Sequence, residues 1–352
     1  MVDVTIRGAG AFGLSIAFVM AQRGVKVRVV DPNGPGGGAS GGIVGALAPH
    51  APENWIAKKA FQFDSLDKAE AFWRSVEAIG GTSSGYGRTG RLQAIDDEHA
   101  LKFALEREEN AKSLWQGRYH WNVIKSPGAW APISPTGYFI HDTLTARMFP
   151  RRACAALAAA IIALGGEITT DARDQGPVVW ATGAAGLVDL SQDIGQTVGG
   201  AMKGQAALLR FDAKTKPQIY AGGVHIVAHA DGTVAIGSTS ERDFLNATDT
   251  DEQLDQVIER ARAVVPALQN APVIERWAGL RPRAKTRAPM LGEWPGRSGH
   301  FVANGGFKIG FGIAPAVGGL MADLVLDQND QIPDHFRVDS SLKARPVSQS
   351  KT

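Results

Sequence analysis

Cysteine is almost absent from this chain. One cysteine, Cys154, stands among 352 residues, which excludes an intrachain disulfide and any cysteine-built metal cluster. Histidine does not fill the gap: His225 and His229 are spaced to share one face of a strand, but they lack a clear third ligand. A dominant charge sign is missing too. Lys and Arg number 37 against 35 Asp and Glu, and a net charge of +2 is too nearly balanced to mark a nucleic-acid surface. Long apolar runs are lacking: Ala153 to Leu164 gives about 12 residues where a membrane span needs about 20. Its alanine content suits a buried helix. The first strand begins at Val2, ahead of which no secretory leader fits, so a cytoplasmic protein without a membrane span is expected. With 44% apolar and 20% charged residues the chain reads as ordinary globular, long enough for one large domain or two moderate ones sharing a core.

Glycine is the excess. It supplies 42 of 352 residues, about 12% against roughly 7% in average proteins. Such a surplus suggests tight turns and close backbone approach to a ligand. Gly8-Ala9-Gly10-Ala11-Phe12-Gly13 reads G-x-G-x-x-G between a strand, Val2–Arg7, and an apolar helix, Ala11–Arg23. The first glycine permits the turn, the second lets the backbone meet a pyrophosphate, and the third lets helix pack on strand. The amides and dipole at the helix N-terminus then hold the phosphates. Val25–Val30 alternates with period two and ends at Asp31, where an acid accepts hydrogen bonds from a ribose hydroxyl. A plain NAD fold would continue with regular strand–helix units. Here a Gly/Ser loop, Asn33–Gly45, follows, and strands of the same sheet return only near Glu167–Thr170 and Val178–Ala181. Interruption of this kind suits the longer FAD.

Beyond Val198 strands dominate, at Gln205–Phe211, Val224–His229, Val234–Ser238 and about Val273–Leu280. Helices are expected over about Trp55–Ile79, Asp97–Leu114, Arg151–Leu164, Asp249–Val265 and Ile313–Leu326. The fold class is therefore α/β: a Rossmann-type FAD-binding domain interleaved with an antiparallel-sheet α+β substrate domain. Residues 1–80, 140–198 and 299–339 are assigned to the first domain and 81–139 and 199–298 to the second. Residues 340–352 are expected to be a disordered tail.

Several segments together resemble the glycine oxidase and D-amino acid oxidase family of FAD amine oxidoreductases, which includes the sarcosine oxidases. They are Ala39-Ser40-Gly41-Gly42 running into Gly45-Ala46-Leu47, Val178 to Gly183, His225 through Thr239, Trp277-Ala278-Gly279-Leu280-Arg281-Pro282, and Asn304 to Pro315. The resemblance implies a cofactor site built from Gly8, Gly10, Ala11, Phe12, Gly13, Asp31, Ala39, Ser40, Gly41, Gly45, Ala46, Leu47, Thr182, Gly183, Gly305, Gly306, Phe307, Lys308 and Gly310. It places Arg281 on the arginine that binds the substrate carboxylate, a role a planar guanidinium suits. Lys308 falls where a basic residue faces the active site, and His225 where glycine oxidase has a tyrosine near the substrate amine. The competing readings are an ion-paired Arg281, a solvated Lys308 and a His225 satisfied by backbone.

After its arginine the family often reads Arg-Pro-x-Thr-Pro-Asp-Gly, whereas this chain has Thr286 in place of the acid and extra cations at Arg283, Lys285 and Arg287. The expected activity is oxidation of a small amino acid or secondary amine by hydride transfer from Cα to flavin N5. Glycine or an N-substituted glycine such as sarcosine or iminodiacetate is the first choice. The resulting imine hydrolyses to an oxo acid and ammonia or an amine. A D-amino acid oxidase or dehydrogenase, a tRNA carboxymethylaminomethyl-uridine oxidoreductase and a non-catalytic flavin-binding subunit are the alternatives. Noncovalent FAD is expected, with a histidyl link through His50 as the other option. The reoxidant, oxygen or another acceptor, and assembly into a homo-oligomer are left open.

Overall fold

The computed structural model describes residues 2–125 and 127–342. In chain order its strands are Val4–Arg7 (β1), Val27–Val30 (β2), Ala46–Leu47 (β3), Arg91–Ala94 (β4), Trp121–Lys125 (β5), Tyr138–Asp142 (β6), Ala146–Arg147 (β7), Glu167–Thr169 (β8), Val178–Trp180 (β9), Gly199–Arg210 (β10), Gln218–Ala221 (β11), Val224–Ala228 (β12), Thr233–Gly237 (β13), Val273–Ala284 (β14), Met290–Glu293 (β15) and His300–Asn304 (β16). The helices are Ala11–Gln22 (α1), Ala57–Gly80 (α2), Glu98–Leu114 (α3), Pro150–Ala163 (α4), Gly183–Ile194 (α5), Glu252–Val264 (α6), Gly310–Asp327 (α7) and Val338–Leu342 (α8).

Six strands form one sheet in the order β15-β16-β9-β1-β2-β8, parallel except for β15 at its edge. The chain starts at the centre with β1, moves outward through β2 and β8, then returns to the other flank of β1 with β9 and β16. That reversal opens a crevice beyond the carboxyl ends of β1 and β9. Helix α1 crosses the sheet with ten of its 12 residues buried, which is why its sequence is apolar on every side. It is covered from outside by α7, and the crossing is close because Gly318 lacks a side chain: a Cβ there would lie 2.9 Å from the Ser15 carbonyl oxygen.

The second sheet has eight strands in the order β14-β10-β13-β12-β11-β4-β6-β5, antiparallel apart from the β11–β4 pair. Its far side packs on α6, whose N-cap Asp251 accepts from the Gln253 amide at 3.0 Å and whose Leu254, Val257, Ile258 and Ala261 are buried. A small third sheet pairs β3 with β7.

The structure extends several expected elements. β10 begins at Gly199, six residues before Gln205, and β14 runs on through Pro282 to Ala284. Pairing of the two explains both extensions, with Met202 opposite Arg281 and Gly199 opposite Ala284. Strands β5, β6, β11, β15 and β16 and helix α5 were not anticipated from the sequence. Helix α7 starts at Gly310, three residues before Ile313, and reaches 18 residues, long and apolar enough by composition to cross a membrane. In this fold 56% of that helix is buried within the protein, against α1 and α2. Residues 340–342 close α8, and the remainder of the expected tail, 343–352, lies outside the described residues.

Candidate active site

Four parallel strands deliver the residues at the crevice. Gly8 follows β1, Asp31 follows β2, Thr182 and Gly183 follow β9, and Gly305 follows β16. Gly8 has φ +104°, and a Cβ on it would lie 2.3 Å from the Ala181 carbonyl oxygen. A Cβ on Gly13 would lie 1.9 Å from the Gly8 carbonyl oxygen. No other residue fits either position. Asp31 Oδ2 accepts from the Ala9 amide at 2.8 Å, tying the end of β2 to the glycine turn. The sequence Asn304-Gly305 fastens the far side: Asn304 Nδ2 donates to the Gly183 carbonyl at 2.8 Å, and its Oδ1 accepts from the Gly305 amide at 2.8 Å.

The loop after β2 folds back over this turn. Ala39, Ser40 and Gly41 form a short 3-10 helix, and Ser40 Oγ accepts from the Ala11 amide at 2.9 Å. Ala46 and Leu47 form β3, while Gly45 lies against Met148, where a Cβ would approach the carbonyl oxygen to 2.0 Å. Gly306 meets the Phe12 ring, and Gly310 opens α7. Thus the residues expected to hold the cofactor gather from distant segments around one crevice. They fit a dinucleotide. Helix α1 has no acidic residue in its first turn and its N-cap, Gly10, has no side chain; Ser40 meets the Ala11 amide, and the positive end of the helix favours an anion. The Thr182 hydroxyl is buried without a hydrogen-bond partner. His50 sits beside Gln62, which takes its amide proton at 2.9 Å and contacts its Nδ1. Cys154 is fully buried, and burial pushes its thiol up to about 12, so it is chemically quiet.

Arg281, Lys308 and His225 converge on the face of the second sheet nearest the crevice. Arg281 Nη2 donates to Ser238 Oγ at 2.6 Å and Nη1 to the Thr239 carbonyl at 3.1 Å. Burial pushes its guanidinium down to about 10, against the opposing pull of Glu241, which leaves it a cation at neutral pH. A guanidinium has five N–H donors; with two committed, three remain for a ligand. The guanidinium lies flat on β10 at Gly204, where a Cβ would fall 2.0 to 2.1 Å from its carbon and both terminal nitrogens. Glycine inside a strand marks such an approach.

Behind Arg281 lies a buried polar network. Glu241 is 7% exposed; its Oε1 accepts from Gln205 Nε2 at 3.1 Å and from the Thr239 hydroxyl. Lys203 Nζ stands 3.6 Å from both Glu241 and Asp251. Gln205 Nε2 also donates to Asp251 at 2.8 Å, and the segment that holds the arginine is fixed by the Thr239 and Glu241 amides, which donate to the Gln205 and Lys203 carbonyls at 3.3 and 3.0 Å.

His225 is half-buried on β12, its Nδ1 without a partner and its ring 4.7 Å from that of Tyr220. Burial, then the charges of Arg91, Lys308 and Arg281, push its imidazole down to about 4. It is therefore neutral through the physiological range. Lys308 is exposed at its tip, yet partial burial and the Arg281 charge hold its ammonium below the usual lysine range. Register brings the three segments together: His225 pairs with Gly237, Ser238 accepts from Arg281, and the Phe307 amide donates to the Pro282 carbonyl at 3.1 Å. Arg283 and Arg287 share a cavity with Lys308; Lys285 is exposed and does not line it. Gly204, Glu241 and Arg242 were missed in the sequence reading, and Ser238 and Asn304 stood in the resembling segments without a role of their own.

Comparison with known proteins follows the same lines. A family profile described as FAD dependent oxidoreductase (DAO) matches residues 3–324. The glycine oxidase of Geobacillus kaustophilus is 26% identical over 370 residues, covering 92% of each chain. The glycine oxidase of Pseudomonas putida is 27% identical over 354 residues, covering 92% of this chain and 94% of that one. The crystal structure of iminodiacetate oxidase from Chelativorans sp. BNC1 superposes with a TM-score of 0.83 at 21% identity, covering 95% of this chain and 98% of that one. At that identity the structural likeness speaks for the fold alone.

Proposed function

The chain belongs to the DAO family of FAD dependent oxidoreductases, and we propose that it oxidises glycine or an N-substituted glycine such as sarcosine or iminodiacetate. The observation that carries this reading is the arrangement of Arg281, Lys308 and His225: His225 pairs with Gly237, next to the Ser238 that holds Arg281 at 2.6 Å, and the Phe307 amide donates to the Pro282 carbonyl at 3.1 Å, which sets Lys308 beside the same segment. In this reading the six-stranded sheet holds the cofactor and the eight-stranded sheet holds the substrate. FAD is taken to bind noncovalently, and when bound it supplies the two-electron acceptor for a hydride leaving the substrate Cα.

Arg281 anchors the carboxylate through its uncommitted N–H groups, and the Glu241 network keeps it in place. Two cations near the amine disfavour its ammonium form. Arg281 and Lys308 thereby promote the neutral amine, whose lone pair assists loss of the Cα hydride. His225 at about 4 is too weak a base to take that ammonium proton at neutral pH, so the proton passes to solvent. The unpartnered Nδ1 instead offers a lone pair to an amine N–H. The imine produced hydrolyses to an oxo acid and ammonia or a primary amine.

Turnover with glycine, sarcosine and iminodiacetate, followed by oxo acid and ammonia or amine release, tests the proposal. Arg281→Ala is expected to raise KM strongly with FAD content retained. Oxidation of these amines by the variant with unaltered KM would refute the anchoring role.

A further inference from the structure

Arg242, Arg283, Arg287 and Lys308, with Phe307 and Ser240, line a cavity of ≈ 270 Å³. Three separate segments bring the cations there: the stretch after β13, the end of β14 with its turn, and the segment before α7. No acidic side chain lines the cavity, and none of the four cations forms an ion pair among the described residues. The charges that act on Arg283 are those of Arg287 and Arg242, which hold its guanidinium below the usual range after burial. Like charges gathered without an acid repel one another. The fold does not need the arrangement, because Arg242 and Arg287 are exposed and bury no core.

Two lining residues also carry backbone strain. Phe307 has φ +43° and Arg287 φ +60°, a region that non-glycine residues seldom enter and that recurs at ligand clamps. The Phe307 ring stands between two cations, with the Arg283 guanidinium carbon 5.8 Å and Lys308 Nζ 5.7 Å from its centre. Met202 lines this cavity and pairs with Arg281 across β10 and β14, so the cavity adjoins the space at Arg281.

We propose that the amine oxidised here carries a second anionic group, seated among Arg242, Arg283, Arg287 and Lys308 while Arg281 takes the first carboxylate. This rests on the reading of Arg281 as the carboxylate anchor. Guanidinium forks suit carboxylate and phosphonate oxygens alike, so the chemistry named is an anionic arm on a glycine-type amine. A substrate without that arm leaves the four cations unmatched.

The test uses redox-inert acids on the FAD-loaded enzyme, with Kd read from perturbation of the flavin absorption band. Acetate, succinate and phosphonoacetate are the probes. At least one dianion is expected to bind about tenfold tighter than acetate, and the tighter of the two identifies the head group. Each of Arg242→Gln, Arg283→Gln and Arg287→Gln should reduce the dianion-to-acetate ratio about two- to five-fold, the range of a partly exposed charge pair. Raised salt should shrink the ratio further. Equal binding of all three acids, or a preference that survives the three substitutions, would overturn the proposal. Arg281→Ala tests the underlying anchor separately, because it removes acetate binding whatever the cavity does.

Discussion

Gly204→Ala is the most informative single substitution in this chain. A methyl group there would lie 2.0 to 2.1 Å from the guanidinium carbon and terminal nitrogens of Arg281. Ordinary contact begins near 3.5 Å, so the guanidinium must retreat by about 1.5 Å. The obstacle is the far end of a flexible side chain, so the strand itself need not move. A displacement of that size loses at least one charge-assisted hydrogen bond to the substrate, about 1.5–3 kcal/mol, or roughly 10- to 150-fold in kcat/KM. The same retreat breaks the Arg281 hydrogen bonds to Ser238 and Thr239, so the fold should lose stability as well, by about 1 kcal/mol or more after the roughly 0.4–1 kcal/mol that alanine contributes by restricting the unfolded chain. Gly200→Ala is the control: it lies on the same strand, and a Cβ there meets nothing within 4 Å. The assay pairs steady-state kinetics with thermal unfolding and FAD content for both variants. If Gly204→Ala kept the KM of the parent, the substrate would not be using this guanidinium, and the anchoring argument would fail.

Asp31→Ala removes the acceptor of the Ala9 amide at 2.8 Å and of the Asn33 amide at 2.9 Å. FAD affinity should fall about tenfold or more, read by equilibrium dialysis, and unchanged affinity would place the ribose contact elsewhere. Acid should destabilise the fold over a defined window. His225 and His229 are both held at about 4 by burial, below the ordinary 6.5, so between these values the unfolded chain binds more protons. Their contribution is intact above pH 6.5 and is lost as pH falls through 4, at up to about 3 kcal/mol each. Urea midpoints from pH 4 to 8 measure it. His229→Gln, which can still donate to the Ile43 carbonyl now accepting at 2.9 Å, should flatten that slope, and an identical slope would contradict the assignment.

The cofactor side was legible because each requirement is local. The glycine turn, the apolar helix behind it and Asp31 follow one another within 31 residues, and each carries its own pattern. The substrate side was less so. Arg281 and Lys308 could be named from their motifs, but the surface beneath them could not. β10 opens with Gly199-Gly200-Ala201-Met202-Lys203-Gly204, a stretch of weak strand propensity that pairing with β14 alone makes extended. Hence the contact of Gly204 with Arg281 and the burial of Lys203 against Glu241 were out of reach. Pro282 lies beyond the expected end of this strand at about Leu280, and β14, an edge strand, tolerates it. The cationic cavity depends on Arg242, which is 41 residues before Arg283 and comes beside it only through the β13–β10–β14 pairing.

Anaerobic reduction of the FAD-loaded protein puts the central claim to its most direct test, because no assumption about the reoxidant enters. Glycine, sarcosine, iminodiacetate and D-phenylalanine are mixed in turn with the oxidised enzyme, and the flavin band is followed. The account predicts bleaching by glycine-type amines, fastest with iminodiacetate, and little or none by D-phenylalanine. Rapid bleaching by D-phenylalanine with the three glycine-type amines inert would contradict it.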